Sequence, residues 1–273
     1  MENNINRTIK IGPTPFISVD YCGGGKGVIF LHGIGGNKRN WDDNVIAFSK
    51  FFKVVSLDTR GYGDSDDYEG EFSYSDVAKD LLKVINFFNF TKVHLVGLSM
   101  GARIAGWFYN LYPKRVNSLV LCDTHLGFSD FSSEKRLKFI ELRSKPLLAG
   151  KSPQEIAPNI SRSLLGDPND KRAFNKLVDS LGKLRKENYI KTIKAFTLDD
   201  NADLFKSINV PCLVLAGELD TLTPPHLARK IANQIKGSKC VIIKKAGHLP
   251  NIEKAKEFNE AVLNFLLGLT KND

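Results

Sequence analysis

Ser99 stands at the centre of Gly97-Leu98-Ser99-Met100-Gly101, with the apolar run Val93-His94-Leu95-Val96 before it and a helix-like stretch, 102–112, after it. In that context a serine sits at the tip of a sharp strand-to-helix turn, its hydroxyl exposed for nucleophilic attack. Side chains at Gly97 and Gly101 would collide as strand and helix fold together. Such a pentapeptide also arises by chance in loops, so its meaning depends on what the other strand ends carry. Leu31-His32-Gly33-Ile34-Gly35-Gly36 follows another apolar run. Its glycines let the backbone pass close to a bound acyl group and present the Ile34 N–H, which with the Met100 N–H would form a two-donor oxyanion hole. His32 there is read as bracing the loop. Ala216-Gly217-Glu218-Leu219-Asp220 follows a third run. A carboxylate in that position can accept from an imidazole N–H, fixing its tautomer and stabilising the imidazolium. Asp220 is the better-placed acid, with Glu218 and Asp123 as rivals. His248, bracketed by Gly247 and Pro250 in a loop, is the expected base, whereas His94, His125 and His226 lack comparable loops. Together these residues could run two-step acyl transfer on an ester or lactone, with no metal or organic cofactor. Gly33, Leu126, Leu222 and Leu249 flank them and are the expected substrate contacts.

Positioning these groups requires strands that end along one edge of a sheet. Short apolar runs alternate with helical patterns, the signature of a parallel sheet covered on both faces. Strands are expected near 8–11, 16–21, 27–31, 53–58, 92–97, 118–122, 212–216 and 239–243, the first two as an antiparallel hairpin. Helices are expected near 41–48, 74–88, 100–112, 225–235 and 254–267. Residues 126–205 break the rhythm with Lys and Leu at helical spacing, punctuated by Pro146, Pro153, Pro158 and Pro168. They read as a helical cap inserted after the sixth strand, leaving 1–125 and 206–273 as an α/β core domain. Asp58-Thr59-Arg60-Gly61-Tyr62-Gly63-Asp64-Ser65 is read as a structural loop, although Arg60 could touch an anionic substrate.

Composition narrows the field. The 273 residues carry 39 Lys+Arg and 30 Asp+Glu, a net charge of +9. Residues 131–195 hold 15 of those basic residues and 7 of the acidic ones. A basic excess confined to one helical stretch, without RNA-binding aromatics or a helix-turn-helix pattern, argues against a nucleic-acid partner. It suits a solvated helical face or an electropositive lid over an anionic substrate. The four scattered cysteines include no Cys-x-x-Cys pair, so neither a disulfide framework nor a zinc site is expected. No secretory leader or membrane-length apolar run is visible, and the expected compartment is the cytoplasm.

The motifs at Ser99, His32-Gly33, the Asp58 loop, Asp220 and His248 resemble those of the α/β-hydrolase fold family over essentially the whole chain. Within it, Gly97-Leu98-Ser99-Met100-Gly101 followed by Trp107, Ser118-Leu119-Val120-Leu121-Cys122-Asp123-Thr124 and Gly247-His248-Leu249-Pro250-Asn251-Ile252-Glu253 are similar to the 3-oxoadipate enol-lactonase-like branch. The resemblance implies a serine hydrolase with Ser99, Asp220 and His248 as triad, acting on a small ester or lactone such as an anionic enol-lactone. The same triad serves carbon–carbon bond hydrolases and cofactor-free haloperoxidases, and the fold also appears in binding proteins. One departure stands out: relatives continue the elbow with a second glycine, where this chain has Ala102-Arg103.

Overall fold

In the computed structural model, which describes residues 7–128 and 132–270, the apolar runs become eight strands of one sheet. β1 (Arg7–Ile11) and β2 (Ile17–Cys22) form the antiparallel lead-in hairpin, with Ile11 opposite Ile17. β3 (Gly27–Leu31), β4 (Lys53–Leu57), β5 (Val93–Leu98), β6 (Val116–Cys122), β7 (Cys212–Gly217) and β8 (Lys239–Ile243) follow, in the spatial order β1-β2-β4-β3-β5-β6-β7-β8. β2 meets β4 antiparallel, and every later pairing is parallel. The strands β3, β5 and β7 are buried along their full length, whereas the edge strands β1 and β8 are largely exposed.

Alternation along the strands feeds two cores. Val28, Phe30, Val54, Val96 and Val120 point to one face; Ile29, Leu31, Val55, Leu95, Leu119 and Leu121 point to the other. The first core packs against α1 (Asp42–Phe48) and the C-terminal helix. The second packs against α2 (Tyr74–Phe87) and α3 (Met100–Leu111). Four helices lie between β6 and β7: α4 (Ser133–Leu148), α5 (Pro153–Leu164), α6 (Lys171–Gly182) and α7 (Lys186–Leu198). Pro153 opens α5 behind a Ser152/Glu155 capping box, so one of the proline breaks is a helix start. Pro146 and Pro158 lie inside helices. After α7 the chain returns through Leu204, Phe205 and Ile208, which are buried in the main core. α8 (Pro225–Gln234), the short α9 (Pro250–Glu253) and α10 (Ala255–Thr270) complete the chain.

Parallel register lines up the carboxyl ends that matter: Leu31 beside Gly97, Leu98 beside Cys122, Cys122 beside Leu215, and Gly217 beside Ile243. The loops that begin at His32, Ser99, Asp123, Glu218 and Lys244 therefore open on one edge of the sheet, the usual place for a ligand in an α/β sheet. Cys22, Cys122 and Cys212 are buried and Cys240 is exposed, all as free thiols. No helix among the described residues is long and apolar enough to cross a membrane.

Candidate active site

Ser99 occupies the turn between β5 and α3 at φ 54°, ψ −113°, in a region that a side chain with a Cβ rarely adopts. Hydrogen bonds hold it there. Its N–H donates to the Cys122 carbonyl at 2.8 Å, and its carbonyl accepts from Ala102 N–H and the Thr124 hydroxyl at 3.1 Å each. The flanking glycines are needed for space: a Cβ on Gly97 would lie 2.3 Å from the Gly101 carbonyl oxygen, and one on Gly101 would lie 2.1 Å from that of Leu31.

Asp220 and His248 come from the ends of β7 and β8. The Asp220 carboxylate accepts from the Leu222 N–H at 2.8 Å, the Thr223 N–H at 3.1 Å and the Thr223 hydroxyl at 2.6 Å. Its Oδ2 lies 2.8 Å from His248 Nδ1. With Nδ1 donating, Nε2 is left as the basic nitrogen. Burial works against the Asp220 charge, but His248 and these hydrogen bonds prevail and hold the carboxyl below its ordinary range. His248 N–H donates to Leu164 O at 2.8 Å. The buried Glu253 ties the same loop down, accepting from Gly247 N–H at 2.9 Å and from Gly166 N–H at 2.7 Å.

Of the rival acids, Glu218 accepts from Lys245 N–H at the exposed rim. Asp123 is buried beside Asp220: one atom each of Asp123, Asp220 and His248 lies within 4.8 Å of the others. Asp123 Oδ1 accepts from Gly217 N–H at 2.8 Å. Burial, then the negative charge of Asp220, push its carboxyl well above the ordinary range. Burial beside a charged neighbour thus favours the protonated form of Asp123.

Ser99 and His248 face one cleft with two lobes. The inner lobe is walled by Gly33, Ile34, Gly35, Trp41, Leu98, Leu177 and Leu249. The outer lobe lies under the helices between β6 and β7, against Phe139, Arg143, Ile160, Tyr189, Ile193, Phe196 and Leu222. Ile34 borders both. Met100 is different: its side chain is fully buried in the core, so only its backbone N–H, at the start of α3 where helical N–H groups lack an intrahelical acceptor, can serve the cleft.

Among the expected contacts, Gly33, Leu249 and Leu222 line the cleft. Leu126 does not. The chain turns away after Asp123 (φ 44°) and packs Leu126 into the core under α3. His32 braces its loop, with Nδ1–H donating to Gly33 O at 2.8 Å and Nε2 accepting from Thr59 N–H at 3.0 Å. Arg60 is committed to Asp80 at 2.6 Å and is not offered to a substrate. The fully buried Arg103 donates to Asp199 (2.9 Å from Nε) and to the His125 carbonyl at 2.9 Å, joining α3 to both ends of the inserted helices. Sequence reasoning missed the outer-lobe residues Phe139, Arg143, Tyr189 and Phe196, for which no motif exists.

The sequence profile described as alpha/beta hydrolase fold matches residues 27–255. The 2-hydroxy-6-oxononadienedioate/2-hydroxy-6-oxononatrienedioate hydrolase of Escherichia coli (strain K12) is 28% identical to this chain, covering 94% of it and 93% of the relative. Among solved structures, a thermophilic esterase from Thermogutta terrifontis superposes with a TM-score of 0.86 at 26% identity, over 96% of this chain and 99% of the other. The enol-lactonase from Burkholderia xenovorans LB400 gives 0.80 at 24% identity, over 92% and 97%. With that profile spanning most of its length, the chain belongs to the alpha/beta hydrolase fold family.

Proposed function

We propose that the protein is a serine hydrolase that cleaves a carboxylic ester or lactone through an acyl-enzyme, with the helices of 126–205 acting as a cap over the reacting centre. His248 Nε2 takes the Ser99 proton as the hydroxyl attacks the carbonyl. Asp220 orients His248 and supports its positive charge, and the N–H groups of Ile34 and Met100 hold the oxyanion, one such donor contributing about 3 kcal/mol. His248 then protonates the leaving alkoxide and activates water for deacylation. The observation that carries this reading is the 2.8 Å contact of His248 Nδ1 with a fully satisfied Asp220, on the loop that shares its cleft with the strained Ser99. Ser99→Ala is expected to lower p-nitrophenyl ester hydrolysis by at least ~10³-fold and to abolish labelling by a fluorophosphonate probe, with the fold retained by circular dichroism. Unchanged turnover in that variant sinks the reading.

Carbon–carbon bond hydrolysis on the same residues is the second reading, favoured by the 28% identity to the Escherichia coli dioate hydrolase. It predicts cleavage of a vinylogous diketone with simple lactones and esters left intact, and a comparison of those substrates separates the two.

A further inference from the structure

Acyl transfer leaves Arg143 without a role. This α4 residue is half-buried in the outer lobe of the cleft, where its neighbours Ile160, Leu164, Ile193 and Phe196 are apolar. Arg143 and Ile160 also border a groove on the outer side of α4 and α5, so together they form a wall between the lobe and solvent. The guanidinium shares this lobe with Tyr189 and stacks over the Phe139 ring, 5.4 Å from its centroid. Arg136, Arg172 and Arg185 pair with Asp200, Asp43 and Asp67, and the exposed Arg162 stacks over Phe174. No acidic side chain among the described residues pairs with Arg143.

A half-buried guanidinium beside apolar neighbours and without a counter-ion has its charge available to a ligand anion in the lobe. Its planar fork matches a carboxylate, which it can grip with two parallel N–H bonds. Tyr189 lines the same lobe, and its hydroxyl has a proton to donate to the same anion.

We propose that Arg143 and Tyr189 bind a carboxylate on the substrate, making this a hydrolase of esters or lactones whose far end is a free acid. The assignment of the reacting end rests on the acyl-transfer reading above; the anion site rests on Arg143 itself.

The test compares monomethyl and dimethyl esters of succinic, glutaric, adipic and pimelic acids, which differ only in a free or blocked far carboxyl. Hydrolysis is followed by proton release. In the wild-type protein the kcat/KM ratio of monoester to diester is expected to peak at one chain length, because the serine and the guanidinium are fixed in the same cleft. Arg143→Met should lower that peak ratio by about 10- to 100-fold, the range of a charge-assisted hydrogen bond. Arg143→Lys, which keeps the charge but not the fork, should give an intermediate value and serves if the methionine variant fails to fold. The proposal is overturned if no chain length shows a monoester preference, or if the preference survives in a folded Arg143 variant; both results leave acyl transfer standing. If none of the esters is hydrolysed in a Ser99-dependent way, the acyl-transfer reading fails, and calorimetric binding of the same compounds decides the anion site. Tighter binding of monoesters that Arg143→Met removes sustains it, and equal binding of both series overturns it.

Discussion

Two carboxyl groups share the space behind His248, and their unequal ionisation is a property of single residues. Asp220 has three donors and the imidazole around it. Asp123 has one backbone donor on Oδ1 and the Cys122 thiol at 3.0 Å from Oδ2; its burial, then its negative neighbour, shift the loss of its proton well above the ordinary range. The sign follows from linkage. The unfolded chain releases this proton above about pH 4 while the folded chain holds it, so the site costs stability as pH rises. Asp123→Asn supplies an N–H in place of the O–H and an oxygen for Gly217. It should therefore stabilise the fold, with a gain growing by up to ~1.4 kcal/mol per pH unit above pH 4, and leave ester turnover within a few-fold. Urea denaturation at pH 5 and pH 8 measures this; an equal effect at both would show that Asp123 is ionised. The motif pattern alone left Asp123 as a competitor of Asp220, because both follow strands. The choice between them lies in donors such as the Thr223 hydroxyl, which only the folded turn brings to one carboxylate.

At the scale of elements, Arg103 accounts for the departure from a second glycine in the elbow helix. One turn into α3, its guanidinium reaches the His125 carbonyl after β6 and Asp199 after α7, and Trp107 Nε1 donates to the same Asp199 at 3.2 Å. Arg103→Met leaves Asp199 buried without its partner and should cost about 3–5 kcal/mol in chemical denaturation. The double variant Arg103→Met/Asp199→Leu should recover much of that, and a loss no smaller than in the single variant would count against the ion pair as the cause. The strands and helices of the sheet were legible because uninterrupted apolar runs such as Ile29-Phe30-Leu31 and Leu213-Val214-Leu215 are long enough to bury on both faces. The facing of the inserted helices was not. A basic sequence with helical period reveals that a helix exists but not which side overlies a cleft, so Arg143 and Tyr189 read like any other residues of the stretch. Glu253 was equally hidden, since a glutamate beside a proline-led turn looks solvated until three backbone N–H groups converge on it.

For the whole molecule, the basic excess of 131–195 is partly spent on docking. Arg172 and Lys176 meet Asp43 of α1, and Arg185 meets Asp67. Such surface pairs each contribute at most about 1 kcal/mol, so the apolar contacts beneath them carry most of the attachment. Acid stability has a different source. Burial, and then the nearby charge of Arg103, lower the His125 pKa to about 3, and burial lowers that of His32. The unfolded chain binds these protons below about pH 6.5 and the folded chain does not, so stability falls as pH drops from there toward 3. His125→Asn should flatten that slope by up to ~1.4 kcal/mol per pH unit, read from thermal or urea unfolding between pH 4 and pH 6.5. An unaltered slope would place the proton uptake elsewhere.

The meeting of both chain crossings on one guanidinium has a consequence for how such a protein diversifies. The chain leaves the sheet after His125 and re-enters it after Asp199 at a single seam, yet the His248 loop is tied to the segment between them, where Leu164 O accepts from His248 N–H and Gly166 N–H donates to Glu253. A foreign segment spliced at that seam is therefore expected to keep the chemistry only if it also supplies the carbonyl and the N–H that hold the histidine loop.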